Sequence, residues 1–214
     1  MPQVNGLMAK SEHQLTLQAN DRGWRLFLLR RTDAAFTKFA DKVMRRDNHT
    51  CVYCGFVSTK HMEVVNLDYD YASNKLKNMA TACPFCAQCH FIQAIGSHGF
   101  GGGTLIYLPH LSQEKLNALC HAVFCDLINS TPRFTHAKSI YRELKLLAQP
   151  IERKLGEGMS APEIYGQLLI ENISGNVEDF HETLMESTRL LPRLEKFTGL
   201  IQDYTLEACG ELAQ

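Results

Sequence analysis

The chain has 214 residues, 45% of them hydrophobic and 21% charged, with a formal net charge of −1. That is an ordinary globular composition, with room for one large or two small domains. The near-neutral charge argues against a dedicated nucleic-acid binder, which carries a basic excess to meet phosphates, and no apolar run approaches a membrane span.

In chain order, Gln14 to Gln18 (QLTLQ) alternates, with Leu15 and Leu17 on one face. Trp24 to Leu29 (WRLFLL) is a short apolar run. The pattern predicts two strands joined by a hairpin at Asn20 to Gly23. Thr32 or Asp33 is placed to cap a helix whose Phe36, Phe39, Ala40, Val43 and Met44 recur at helical spacing. Lys38, Lys42, Arg45 and Arg46 read as its solvated face, with cations near the C-terminus where the helix dipole favours them. Met62 to Leu67 predicts a strand, Asp68 to Lys75 a polar loop, Lys75 to Ala82 a helix-compatible stretch and Ala87 to Ile92 a helix. No Gly-Lys-Ser/Thr follows the glycines of Gly96 to Gly103, which excludes a P-loop. That run reads as a loose turn into a strand at Thr104 to Leu108.

The rest reads as helical. Ser112 caps a helix that turns Leu116, Leu119, Cys120, Val123, Phe124 and Leu127 inward, and Thr131-Pro132 breaks it. A helix through Ile140, Tyr141, Leu144, Leu147 and Ala148 stops at Pro150, and a short piece covers Ile151 to Leu155. Ser160 to Glu163 has the form of a capping box that opens the next helix. Val177 to Ser187 predicts a further helix, and a last amphipathic segment follows Pro192. The expected division is residues 1–110 and 111–214, the second part either separate or packed on the first as one unit.

Two Cys-x-x-Cys pairs, Cys51/Cys54 and Cys83/Cys86, carry the strongest chemical signal. Each turn aims two sulfurs at one point, and two turns complete a closed tetrahedral set of the kind structural Zn2+ takes. Thiolate softness alone admits iron as well. Met1 to Lys10 has no apolar signal core, so a reducing cytosol is expected, and it favours metal over disulfides. A redox role for one pair leaves the other unexplained. Cys120, Cys125 and Cys209 fall in helical patterns and are expected to be buried.

The order helix, Arg-Arg-Asp, Cys-x-x-Cys-Gly, strand, loop, Asn-Met, Cys-x-x-Cys over Arg46 to His90 resembles the zinc-containing HNH nuclease module. The resemblance implies an α+β fold with a ββα-metal unit stapled by Cys51, Cys54, Cys83 and Cys86. It also implies a disabled site. Asn66 stands where the family has its general-base His, and an amide takes no proton near neutral pH. Val65 replaces the family's acidic residue, and Ala87 stands where a late His or Asn binds the catalytic ion. Asn78 matches the loop-holding Asn. His61 and His90 are the nearby imidazoles through which an active metal-dependent nuclease would have to work.

With strands before this module and a helical half after it, the whole chain resembles the IcmJ/DotN family of type IVB secretion systems. That resemblance implies a cytoplasmic, non-catalytic subunit of the coupling complex. Such a subunit binds a C-terminal segment of the coupling ATPase (DotL) and supports adaptor and effector recruitment, without inserting into the membrane. The edge of the expected strand at Trp24 to Leu29 and the C-terminal helices are the candidate partner surfaces.

Overall fold

The computed structural model describes residues 13–171 and 186–212, and its first regular element is a helix where the apolar run predicts a strand. Helix α1 spans Asp21–Thr32. The expected hairpin turn is instead its cap, with Asn20 Oδ1 accepting from Gly23 N at 2.8 Å. Its buried face is Gly23, Trp24, Phe27 and Arg30, a three-to-four-residue spacing, while Leu29 is 65% exposed. Residues 14–18 form no strand. The segment is fastened by Gln18, whose N–H donates to Cys89 O and whose carbonyl accepts from Ile92 N.

Helix α2, Ala34–Arg46, starts at the predicted cap: Asp33 accepts from Ala35 N and Phe36 N. Only Val43 of its apolar stripe is fully buried, packed with Val64 and Met79. Phe36, Phe39, Ala40 and Met44 are partly covered around them. Strand β1 (Glu63–Asn66) pairs antiparallel with β2 (Met79–Ala82), Val65 opposite Ala80. β2 corrects the helix-compatible reading of Lys75 to Ala82, of which only Leu76–Asn78 makes a 3-10 turn. All four β2 residues are buried, and pairing with β1 overrides the helix preference of Met and Ala. Helix α3 (Pro84–Ala87) follows, so the first unit has the expected ββα order. The predicted helix over Ala87 to Ile92 is broken into 3-10 turns at Gln88–His90 and Ile92–Ala94.

Strand β3 (Gly103–Tyr107) is close to its predicted place. It pairs antiparallel with β4 (Thr188–Pro192), which the sequence reading lacks, Gly103 opposite Pro192 and Tyr107 opposite Thr188. The remaining elements are α4 (Gln113–Ile128), α5 (Phe134–Leu146), α6 (Gln149–Leu155), α7 (Pro162–Glu171) and α8 (Leu194–Leu212). The first bond of α7, from Tyr165 N to Ala161 O, makes Ala161 rather than Ser160 the cap. The helix predicted over Val177 to Ser187 lies outside the described residues but for its last two. The fold is thus α+β, with two small antiparallel sheets and a mainly helical C-terminal half.

One cluster of buried apolar side chains runs from Leu15 through Phe27, Phe91, Leu105 and Phe124 to Tyr204. Cys120 is buried as expected, whereas Cys125 and Cys209 are exposed. Among the described residues, no helix is long and apolar enough to cross a membrane.

Two helix glycines have opposite surroundings. A Cβ on Gly166 in α7 would lie 2.5 Å from Gln93 N, whereas one on Gly199 in α8 would meet nothing within 4 Å. Gly166→Ala should therefore destabilise by about 2 kcal/mol through overpacking. Gly199→Ala should stabilise by up to about 1 kcal/mol through helix propensity. Thermal denaturation of the two variants checks both signs.

Candidate metal centre

Each cysteine pair sits on a tight turn. In the first, Gly55 N donates to Cys51 O at 2.9 Å and Cys51 N to Phe56 O at 2.8 Å. Gly55 has φ +74°, the left-handed conformation that glycine adopts without strain and that turns the chain back behind Cys54. In the second, Cys86 N and Ala87 N both donate to Cys83 O, and Pro84 opens α3. Val52 N donates to Thr81 O, and Thr81 N donates to Asp47 Oδ2 at 2.8 Å. The first turn and the end of α2 are thereby tied to the strand that leads into the second turn.

The four sulfurs lie within 4.8 Å of one another, with Cys54 and Cys83 3.5 Å apart. Cys51, Cys83 and Cys86 are buried and Cys54 partly so. Thiols this crowded do not ionise together unaided. Burial pushes Cys83 and Cys86 well above the ordinary thiol range, and hydrogen bonding with Cys51 and Cys54 pushes the same way. Burial also acts to raise Cys51, but hydrogen bonds from Cys54, Cys83 and Cys86 outweigh it and hold that thiol well below its usual range. Cys51 is thus the favoured thiolate beside Cys83 and Cys86, and a soft cation would ionise all four cysteines. The donor chemistry and spacing fit a metal ion.

Two α4 side chains reach these sulfurs. His121 Nε2 lies 3.2 Å from Cys83 Sγ, and Asn117 Nδ2 donates to Cys86 Sγ at 3.2 Å. The His121 ring is stacked between Phe56, at 3.8 Å and 3°, and Phe85, at 4.1 Å and 17°. Burial pushes its pKa down to about 3, against the charge of Cys51. The sequence reading assigned neither residue. The available signal was a pair of polar residues four apart within an apolar helix stripe.

Asn66, which the HNH resemblance sets at the general-base position, is 0% exposed. Its Oδ1 accepts from Arg30 Nη1 at 2.7 Å, and its Nδ2 donates to Asp70 O and Ser73 O at 2.8 and 2.7 Å. The same guanidinium donates to Tyr71 O at 2.6 Å and Asn74 Oδ1 at 2.7 Å. Asn78 fastens the other end of the loop, exchanging hydrogen bonds with Asp68. Arg30 thus crosses from α1 to seal the connection between β1 and β2. Val65 and Ala87 are also wholly buried.

His90 is buried between two phenols, Nε2 3.2 Å from the Tyr53 hydroxyl and Nδ1 2.9 Å from that of Tyr71. Burial pushes it down to about 3. His61 sits in a left-handed turn with φ +57° and pairs with Asp203 at 2.7 Å. Neither meets Asn66. Of the basic set on α2, Lys38 and Lys42 are exposed and Arg45 pairs with Asp41. Arg46 is exposed as expected and also donates to Leu76 O and Met79 O, which braces the same loop. Trp24 to Leu29, being helical, presents no sheet edge to a partner.

A four-cysteine centre able to hold a metal ion, built on a ββα unit and carrying a helical half, defines the class of this protein. No family model matches the chain. It is 44% identical over 212 residues to the type 4 apparatus protein DotN of Legionella pneumophila subsp. pneumophila (strain Philadelphia 1), covering 98% of this chain and 99% of that protein. The chain belongs to the IcmJ/DotN family of the Dot/Icm type IV secretion system.

Arg30→Met should destabilise by about 3 kcal/mol, because it leaves Asn66 Oδ1 and two loop acceptors without a charged donor. Arg45→Met removes only a surface pair with Asp41 and should cost less than about 1 kcal/mol. Urea denaturation of the two variants makes the comparison.

Proposed function

We propose that this protein is a non-catalytic subunit of the type IVB coupling protein complex. In that role it binds the C-terminal segment of the coupling ATPase (DotL) and supports adaptor and effector recruitment from the cytoplasmic side of the inner membrane. The observation that carries the reading is the end-to-end likeness to a type 4 apparatus protein. The non-catalytic part is supported at Asn66, whose amide has no basic lone pair and whose donors and acceptor are all engaged. Ala87 offers no ligand. The pairing of β3 with β4 across the 110/111 division supports reading both parts as one rigid body that displays a surface to partners.

The metal we assign is one Zn2+, held by Cys51, Cys54, Cys83 and Cys86. Metal–sulfur bonds of about 2.3 Å in a tetrahedron place sulfurs about 3.8 Å apart, within the span of these four. A closed sulfur set leaves no position for water, so zinc here staples the fold. Iron takes the same donors, and elemental analysis of purified protein distinguishes the two.

Cys51→Ser and Cys83→Ser should each lose the metal and much of the folding energy that structural zinc supplies, about 10–16 kcal/mol in small zinc peptides. The expected result is insoluble or protease-sensitive protein; normal solubility and metal content in both variants would contradict the assignment. Pull-down of the tagged full chain from its own cells should recover the coupling ATPase in near-equal amounts. Recovery of nucleic acid without that ATPase, together with Mg2+- or Mn2+-dependent plasmid nicking by the wild type, would favour a nuclease.

A further inference from the structure

We propose that Asn117 and His121 of α4 are hydrogen-bond donors to the metal-site sulfurs, so that the helical half of the chain governs how tightly the metal is held. The inference rests on the metal reading above and goes beyond the four ligands. Four thiolates around one divalent ion leave a net negative charge. In a buried site of low dielectric that charge requires oriented donors, and partners of this kind tune metal sites.

The orientation of Asn117 follows from a continuous network. Gln113 Oε1 accepts from Leu190 N at 2.8 Å, so its amide nitrogen is the group that donates to Leu190 O and to Asn117 Oδ1, at 2.8 and 2.9 Å. With Asn117 Oδ1 occupied as an acceptor, Nδ2 is the group that faces Cys86 Sγ. The path runs from the β4 backbone through two α4 amides to a sulfur. Asn117 is 0% exposed, and its Nδ2 divides its two hydrogens between Cys86 Sγ and Phe85 O, each at 3.2 Å.

His121 completes the stripe one turn on. Among the described residues its Nδ1 is buried without a hydrogen-bond partner. Nε2 is the ring nitrogen that faces Cys83 Sγ, at 3.2 Å, so the donor assigned to this sulfur is the Nε2 N–H. Phe56 follows the first cysteine turn and Phe85 lies inside the second, and the two clamp the ring face to face. The donor is in register only when both turns are closed. His121 lies outside the set of four mutually close ligand atoms, which makes it a positioning residue and not a fifth ligand.

The test uses full-length protein loaded with Zn2+ or Co2+. Asn117→Leu keeps the volume and removes the donor, His121→Phe keeps the stacked ring and removes the N–H, and His121→Gln restores a donor. Zinc transfer to a chromophoric chelator and the sulfur-to-cobalt charge-transfer band are read with circular dichroism. The expected result is a loss of zinc affinity of roughly 10-fold or more for the Leu and Phe variants, a shifted cobalt band and partial recovery in the Gln variant. Folded Leu and Phe variants with wild-type affinity and band position overturn the proposal. If His121→Phe does not fold, Asn117→Leu decides alone. A wild type that binds neither metal overturns the metal reading itself, a result distinct from tight binding that ignores both substitutions.

Discussion

The convergence of four sulfurs is the constraint on which this structure depends. Cys51 and Cys54 follow the end of α2, Cys83 and Cys86 follow β2, and their sulfurs meet within 4.8 Å. That meeting fixes the end of α2 against the β1–β2 hairpin through the Asp47–Thr81 and Val52–Thr81 bonds. It also sets the two aromatic walls, Phe56 and Phe85, between which α4 inserts His121. The centre therefore organises the helical half as well as the small sheet.

The loop between β1 and β2 is held from both sides by arginines. Arg30 holds Asn66, Tyr71 O and Asn74 together, and Arg46 braces Leu76 O and Met79 O from the other side. Two arginines thereby satisfy backbone carbonyls that a loop of this length would otherwise leave to solvent. The imidazoles nearest in sequence are committed elsewhere, His90 to Tyr53 and Tyr71 and His61 to Asp203.

What was legible in the sequence was local. The Cys-x-x-Cys spacing, the Asp33 cap, the helical stripes of α2 and α4 and the strands at β1 and β3 are set by residues close in the chain, and the structure has them. The element at Trp24 to Leu29 was misread because its pattern is inverted: Arg30 is buried while Leu29 is exposed, and a six-residue apolar run does not distinguish strand from helix. β2 and β4 are strands by virtue of distant partners, β1 and β3, against helix-favouring Met and Ala in the first and a terminal Pro in the second. The contacts of Arg30, Asn117 and His121 were illegible for the same reason. Each meets its partner across a long sequence separation, 36, 31 and 38 residues respectively, and no local spacing encodes those meetings.

X-ray absorption at the metal edge of the purified full-length protein tests the central claim most directly, since it reads ligand type and distance together. The account predicts zinc with four sulfur neighbours at about 2.3 Å and no light-atom ligand. Absence of bound metal, or a first shell containing nitrogen or oxygen, would contradict a four-cysteine centre as the element that holds this fold together.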